Sequence, residues 1–276
     1  MTTIQTRYPA VAGTFYPADP VALADQVDAC LRDGEARLQR LPAIDPQRVR
    51  ALVVPHAGYI YSGPVAGTGY ALLPHLRDRI RGVLLLGPAH YVPVRGCAAS
   101  GADAFATPLG VMPVDVQTRD ALLAVPCAYV DDAAHAPEHS LEVHLPFLQR
   151  TLGDVPIVPM VIGISDPHRE ATIIDPFLAD PQWLVVVSSD LSHYLEYDTA
   201  RARDARTASA ISECRWRDIG DHDACGCRPL RGLLQACEQR QLVVRQLDLR
   251  NSGDTAGPRD RVVGYGTFVA LERGST

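Results

Sequence analysis

Three uninterrupted apolar runs constrain this chain more than any other feature: ALVV at 51–54, VLLL at 83–86 and LVVV at 184–187. Each is too short to be a typical helix, and none alternates with polar residues as a half-solvated strand would. Such runs fit strands covered on both faces, as in a parallel sheet held between helices. Each run also ends in chemistry: ALVVPHAGY reaches His56, VLLLGPAH reaches His90, and WLVVVSSDLSH reaches Asp190 and His193. In open α/β sheets the carboxyl ends of the strands form the rim where ligands bind, so these endings are expected to converge. Histidine is the commonest protein ligand for transition metals and titrates near neutrality, so a convergent set points to a metal centre with an acid/base group beside it.

The flanking segments extend the pattern. DPVALADQVDACLRDGEARL has helical spacing behind Asp19 as cap, predicting a helix over 20–38. Strand 51–54, the turn PHAGY, a helix in the small-residue stretch GPVAGTGYALLPHL and strand 82–86 follow in the order of a βαβ unit. Further helices are expected in DVQTRDALLAV, in EHSLEVHLPFLQRTL, over 167–178, 199–213 and 228–240, and a strand in VPIVPMVIG. The closing runs LVVRQLDL and RVVGYGTFVAL should pair in one sheet. The expected fold class is α/β: a single three-layer α/β/α domain with a mixed, largely parallel central sheet, spanning 7–273 after a tail of residues 1–6.

Composition excludes several functions. A chain of 276 residues is near the size at which one hydrophobic core stops growing, and 47% hydrophobic with 21% charged residues is ordinary for a globular protein. A formal net charge of -6, without a dense Lys/Arg stretch, lacks the electrostatic footprint of a nucleic-acid binder. The apolar runs fall far short of the ~20 residues needed to cross a bilayer, and MTTIQTRYPA contains no apolar signal region, so a cytoplasmic location is expected, with no membrane partner. Among seven cysteines, Cys30, Cys97, Cys127, Cys214 and Cys237 are scattered as reduced, buried thiols would be, whereas Cys225 and Cys227 share the short segment CGC.

Around the strand ends, His56 and His90 are the leading metal ligands. Asp190 and His193, three residues apart, would share a face of a helical turn, where the carboxylate would raise the imidazole pKa and make an acid/base pair. Asp190 as a plain turn cap is the alternative. Ser188 and Ser189 either donate to a substrate or terminate the strand. On the expected helix EHSLEVH, His139 and Glu142 share one face, as supports for the ligands or substrate contacts, and His144 is turned away; Tyr59 joins them as a candidate contact. His135 is expected in an exposed loop, and His75, His168 and His222 at the surface. A Cys225 thiolate would complete a two-histidine, one-thiolate set suited to Zn, Cu or Fe rather than Mg or Ca, with a structural turn or a redox thiol pair as alternatives.

RYPAVAGTFYP, VPHAGYIYSGPVAG, LLGPAHY, FATPLG, EHSLEVHLPFLQ, SSDLSHY, DACGCRPL and VVGYGTFVAL, in this order from Arg7 to Leu271, resemble the Memo family, also named AmmeMemoRadiSam system protein B. That family is similar in fold to the LigB-like class III extradiol dioxygenases, which hold non-haem Fe(II) on two histidines and a glutamate. The resemblance implies that His56 and His90 are ligands, that His193 is the acid/base group beside Asp190, and that Cys225 stands in the glutamate position. It implies a metal-dependent, dioxygenase-like oxidoreductase using Fe(II), with Cu or Zn as alternatives, on an unidentified small-molecule or peptide substrate. A pathway link to AMMECR-type and radical-SAM proteins is also implied. The altered third ligand supports another reading, a non-catalytic binding protein that uses the ancestral cleft for a peptide or protein partner; a zinc hydrolase ranks below both.

Overall fold

The computed structural model describes residues 4–274. Four parallel strands, Val49–Val54, Trp183–Ser188, Gly82–Pro88 and Ile157–Ile162, lie side by side in that order. Antiparallel strands extend this centre on both sides. Val262–Leu271 pairs with Val49–Val54 and carries Val243–Asn251 and the short His193–Leu195, while Cys97–Ala99 pairs with Ile157–Ile162 and then with Ala128–Val130. The fold is α/β with a mixed sheet, parallel at its centre. Trp183–Ser188 lies between the two strands of the expected βαβ unit, so three of the four parallel strands bring their carboxyl ends, and His56, Asp190 and His90 after them, to adjacent places on one rim.

The absence of polar alternation has a direct cause. Successive strand residues point to opposite faces, and here both faces are covered. Leu52, Val54, Val83, Leu85, Leu184 and Val186 enter one core with residues from helices Pro20–Leu38, Tyr59–Tyr70 and Leu145–Leu152. Ala51, Val53, Leu84, Leu86, Val185 and Val187 enter the other with residues from Pro167–Ala179, Tyr197–Ser212 and Cys227–Gln239. The first helix has the expected bounds, with the Asp19 side chain accepting from the Ala22 amide at 2.8 Å. The glycines of Tyr59–Tyr70 let it cross that helix closely: a Cβ on Gly34 would lie 2.3 Å from the Gly67 carbonyl oxygen.

Several segments differ from expectation. Thr6, placed in the tail, pairs with Ala104 in a small second sheet formed by Thr6–Arg7, Ala104–Thr107 and Gly110–Pro113; tail residues 1–3 lie outside the described residues. The helix expected throughout EHSLEVHLPFLQRTL begins only at Leu145, because Pro146 suits the first turn of a helix and not its interior. Glu142–His144 before it is a single 3₁₀ turn. His135 is buried, in a short helix Asp132–His135, with Nε2 at 2.9 Å from the Ala98 carbonyl, instead of lying in an exposed loop. Among the described residues no helix is long and apolar enough to cross a membrane.

Candidate metal centre

The rim gathers more imidazoles than the strand ends alone would bring. One ligand atom from each of His56, His90 and His139 lies within 4.8 Å of the other two. The His90 and His139 rings stack with centroids 4.6 Å apart, and His56 meets both edge-on at 5.1 and 5.5 Å. His56 is buried, His139 nearly so, and His90 leaves 27% of its side chain exposed, so the group opens to solvent on the His90 side.

Each ring has its own support. Behind His56, Nδ1 is 2.6 Å from the Ser188 hydroxyl. Behind His90, Nδ1 is 2.8 Å from Glu138 Oε1, and the His90 amide donates to Oε2 at 2.7 Å. Burial works against the Glu138 charge, yet the bonds from His90 and from the Ser140 amide outweigh it and hold the carboxyl at about 2. An ionised carboxylate only accepts, so His90 Nδ1 carries the proton and donates to Glu138, the usual support of a metal-bound histidine. His139 packs against Phe15 of the N-terminal arm at 4.7 Å, and its Nδ1 is buried without a hydrogen-bond partner.

His56 and His139 are neutral at physiological pH. Burial, followed by the neighbouring imidazoles, pushes His56 well below its ordinary value, and His139 is brought down to about 4 by burial and His90. Two neutral buried imidazoles, His56 and His139, fit a cation and not an anion. The set suits a first-row transition metal better than Mg or Ca.

Cys225 reaches this group from the side, its Sγ 3.2 Å from His56 Nε2. Its loop comes this close because Gly226 presses on the strand end: a Cβ there would lie 2.5 Å from the Ser188 carbonyl oxygen. Burial and Asp190 push the Cys225 thiol up, so it stays protonated, with His56 Nε2 and the Asp190 carbonyl, 3.7 Å away, both within reach of its proton.

Asp190 and His193 do not form the expected pair. The chain after Ser188 is not helical, and His193 opens the short strand His193–Leu195, where Tyr194 at φ 58° shifts the register. Asp190 Oδ1 accepts from the His56 amide at 2.8 Å, so it holds the turn that presents His56, and burial raises its carboxyl to about 7. His193 is lowered, not raised: burial outweighs a backbone bond to Leu191, and His90 adds to the effect.

The 138–144 segment also turns differently. His144 faces the site, its Nε2 2.7 Å from Ser188 Oγ, while Glu142 points away. Glu142 accepts from the Ala10 and Val11 amides at 2.8 and 3.0 Å, from Tyr16 at 2.5 Å and from Arg7, and so straps down the arm that carries Phe15. Tyr59 is buried and donates to the Val143 carbonyl at 2.6 Å; Ser189 donates to the Asp190 carbonyl at 2.8 Å and accepts from the Gly226 amide at 3.0 Å. Both brace the walls of the site. Sequence reasoning missed Glu138, whose one local signal is its place beside His139 in PEH, and Phe15, which has none.

Known proteins resemble this chain along nearly its whole length. Residues 7–269 match the family described as Memo-like protein. A MEMO1 family protein of Aquifex aeolicus is 34% identical over 97% of this chain and 100% of its own length, and one of Sulfolobus acidocaldarius is 35% identical over 94% and 97%. The solved structure of an uncharacterized protein from Escherichia coli K12 shares the fold, with a TM-score of 0.51 at 15% identity, covering 79% of this chain and 99% of that one. With a match from Arg7 to Val269 and relatives aligned almost end to end, the chain belongs to the Memo family.

Proposed function

We propose that this chain is a metal-dependent oxidoreductase, with His56, His90 and His139 holding a redox-active ion, Fe(II) first and Cu second, and Cys225 beside it. The observation that supports this reading is the group of three imidazoles whose ligand atoms lie within 4.8 Å of one another at the sheet rim. A bound ion would supply Lewis acidity and one-electron redox chemistry. Cys225 is the neighbouring group whose ionisation such an ion would favour. His193, neutral and half-buried, would take a proton from a phenol or similar weak acid. Glu138 holds the His90 ring in place, and Asp190 holds the turn that carries His56.

The test is anaerobic loading with Fe(II), Cu or Zn in turn, elemental analysis, and oxygen uptake with a panel of catechols. Stoichiometric metal in the native protein, sharply reduced in His56→Ala and His90→Ala, is the expected result. Unchanged metal content in both variants sinks the ligand assignment, and metal without turnover on any substrate sinks the oxidoreductase. A second reading, a binding protein for a peptide or partner chain, draws support from Tyr91 and Tyr194, both exposed and each packed beside a site histidine. A stoichiometric partner that is retained by His193→Ala favours it.

A further inference from the structure

The Ser188 hydroxyl has more partners than it has protons. It lies fully buried at the end of its strand, 2.6 Å from the Ser140 carbonyl oxygen, 2.6 Å from His56 Nδ1 and 2.7 Å from His144 Nε2. A carbonyl only accepts, so the single serine proton goes to Ser140, and the serine oxygen must accept from both rings with its two lone pairs. His56 therefore carries its proton on Nδ1 and His144 on Nε2. The consequence for His56 is that Nε2, the atom facing the other imidazoles and Cys225, is a bare lone pair.

The same count continues outward. His144 Nδ1 must be the bare nitrogen of its ring, and it is buried without a partner. The Tyr70 hydroxyl, a donor, is also buried without a partner, on a ring whose centroid is 6.0 Å from that of His144. These two unpaired polar atoms sit on neighbouring rings.

We propose that Ser188, backed by His144, is a positioning residue that fixes the His56 tautomer and so keeps Nε2 available as a metal ligand. Glu138 does this for His90 with a charge; Ser188 does it for His56 with a neutral hydroxyl whose own proton is committed to Ser140. The proposal rests on the metal-centre reading only for its consequence, since the tautomer itself is a property of the metal-free protein.

The experiment therefore has two readouts: the ring-nitrogen shifts of ¹⁵N-histidine in the apoprotein, and Zn(II) affinity by competition with a chromophoric chelator. In the native apoprotein His56 should show one tautomer, protonated at Nδ1. Ser188→Ala should convert it to a mixture and weaken Zn(II) binding by about 10–100-fold, the usual cost of removing a partner that orients a ligand. Ser188→Thr, which keeps the hydroxyl, should restore the single tautomer. A single Nδ1-protonated His56 in Ser188→Ala, or Zn(II) affinity there within about twofold of native, overturns the proposal. Should Ser188→Ala not fold, the native apoprotein decides alone: a His56 protonated at Nε2, or a mixture of tautomers, overturns the proposal. A native protein that shows the Nδ1 tautomer but binds no Zn(II), Fe(II) or Cu instead defeats the metal-centre reading and leaves the Ser188 assignment standing.

Discussion

Two groups of buried polar side chains lie on either side of the segment 138–144, and they are paired in opposite ways. Glu142, facing the arm, receives bonds from two backbone amides, a tyrosine hydroxyl and the Arg7 guanidinium. Its carboxylate is saturated and has nothing left to offer a ligand. A few residues away His139 and His144 each leave a buried ring nitrogen unpartnered, and His56 Nε2 meets only a thiol. A fully satisfied buried charge holds structure together, whereas polar nitrogens left unpaired in a buried cluster are costly unless something occupies them. The contrast separates a strap from a site although the two are built from adjoining residues.

The largest effect should follow from breaking the strap. Arg7→Ala leaves Glu142 buried without its cation, and removing one member of a buried pair costs about 3–5 kcal/mol. Denaturant unfolding should show that loss, and a change below about 1 kcal/mol would mean that the amides and Tyr16 alone satisfy the carboxylate. The cluster should respond to metal instead. Zn(II) at a hundred times its dissociation constant should stabilise the native chain by about 2.7 kcal/mol. Glu138→Gln, which replaces the carboxylate behind His90, should cut that gain to roughly 0.4–1.4 kcal/mol at the same concentration if affinity falls about 10–100-fold. Equal gains in both proteins would show that His90 does not hold the metal.

How much of this was legible in the sequence depends on the range of the interaction. The helix Pro20–Leu38, the buried strands and the placement of His56, His90 and Asp190 after strand ends follow from local periodicity and caps, which act over a few residues. The direction of His139 and His144 does not, because residues 138–141 are not helical and Pro146 delays the helix, so the 3.6-residue period assigned the wrong face. The Asp190–His193 spacing misled for the same reason. Glu138 serving His90 across 48 positions, and Glu142 serving the Val11 amide across 131, are contacts that only the sheet order creates. Cys225 is an intermediate case: its chemistry was visible, and the close approach of its loop depends on Gly226, which the segment CGC displays.

Glu170 offers the finest test of the contrast, because it is a buried carboxylate of the unsaturated kind placed far from any imidazole of the cluster in sequence. Oε1 accepts from Ser165, while Oε2 is buried with no partner. Burial, only partly offset by Ser165, Arg228 and Arg231, raises the group from 4.5 to about 7. The unfolded chain ionises first, so it binds fewer protons than the folded one between these values, and stability is lost as pH rises from about 4.5 to about 7. The imidazoles, lowered by burial, act in the opposite sense and cost stability as pH falls, so the Glu170 contribution must be read as a difference between two proteins. Glu170→Gln and the native chain should match in stability near pH 4.5 and diverge through neutrality, with the variant ahead by the order of 1–3 kcal/mol at pH 8. A difference that stays flat across that range would mean that the second oxygen is satisfied after all, and Glu170 would then belong with Glu142 among the carboxylates that hold the fold.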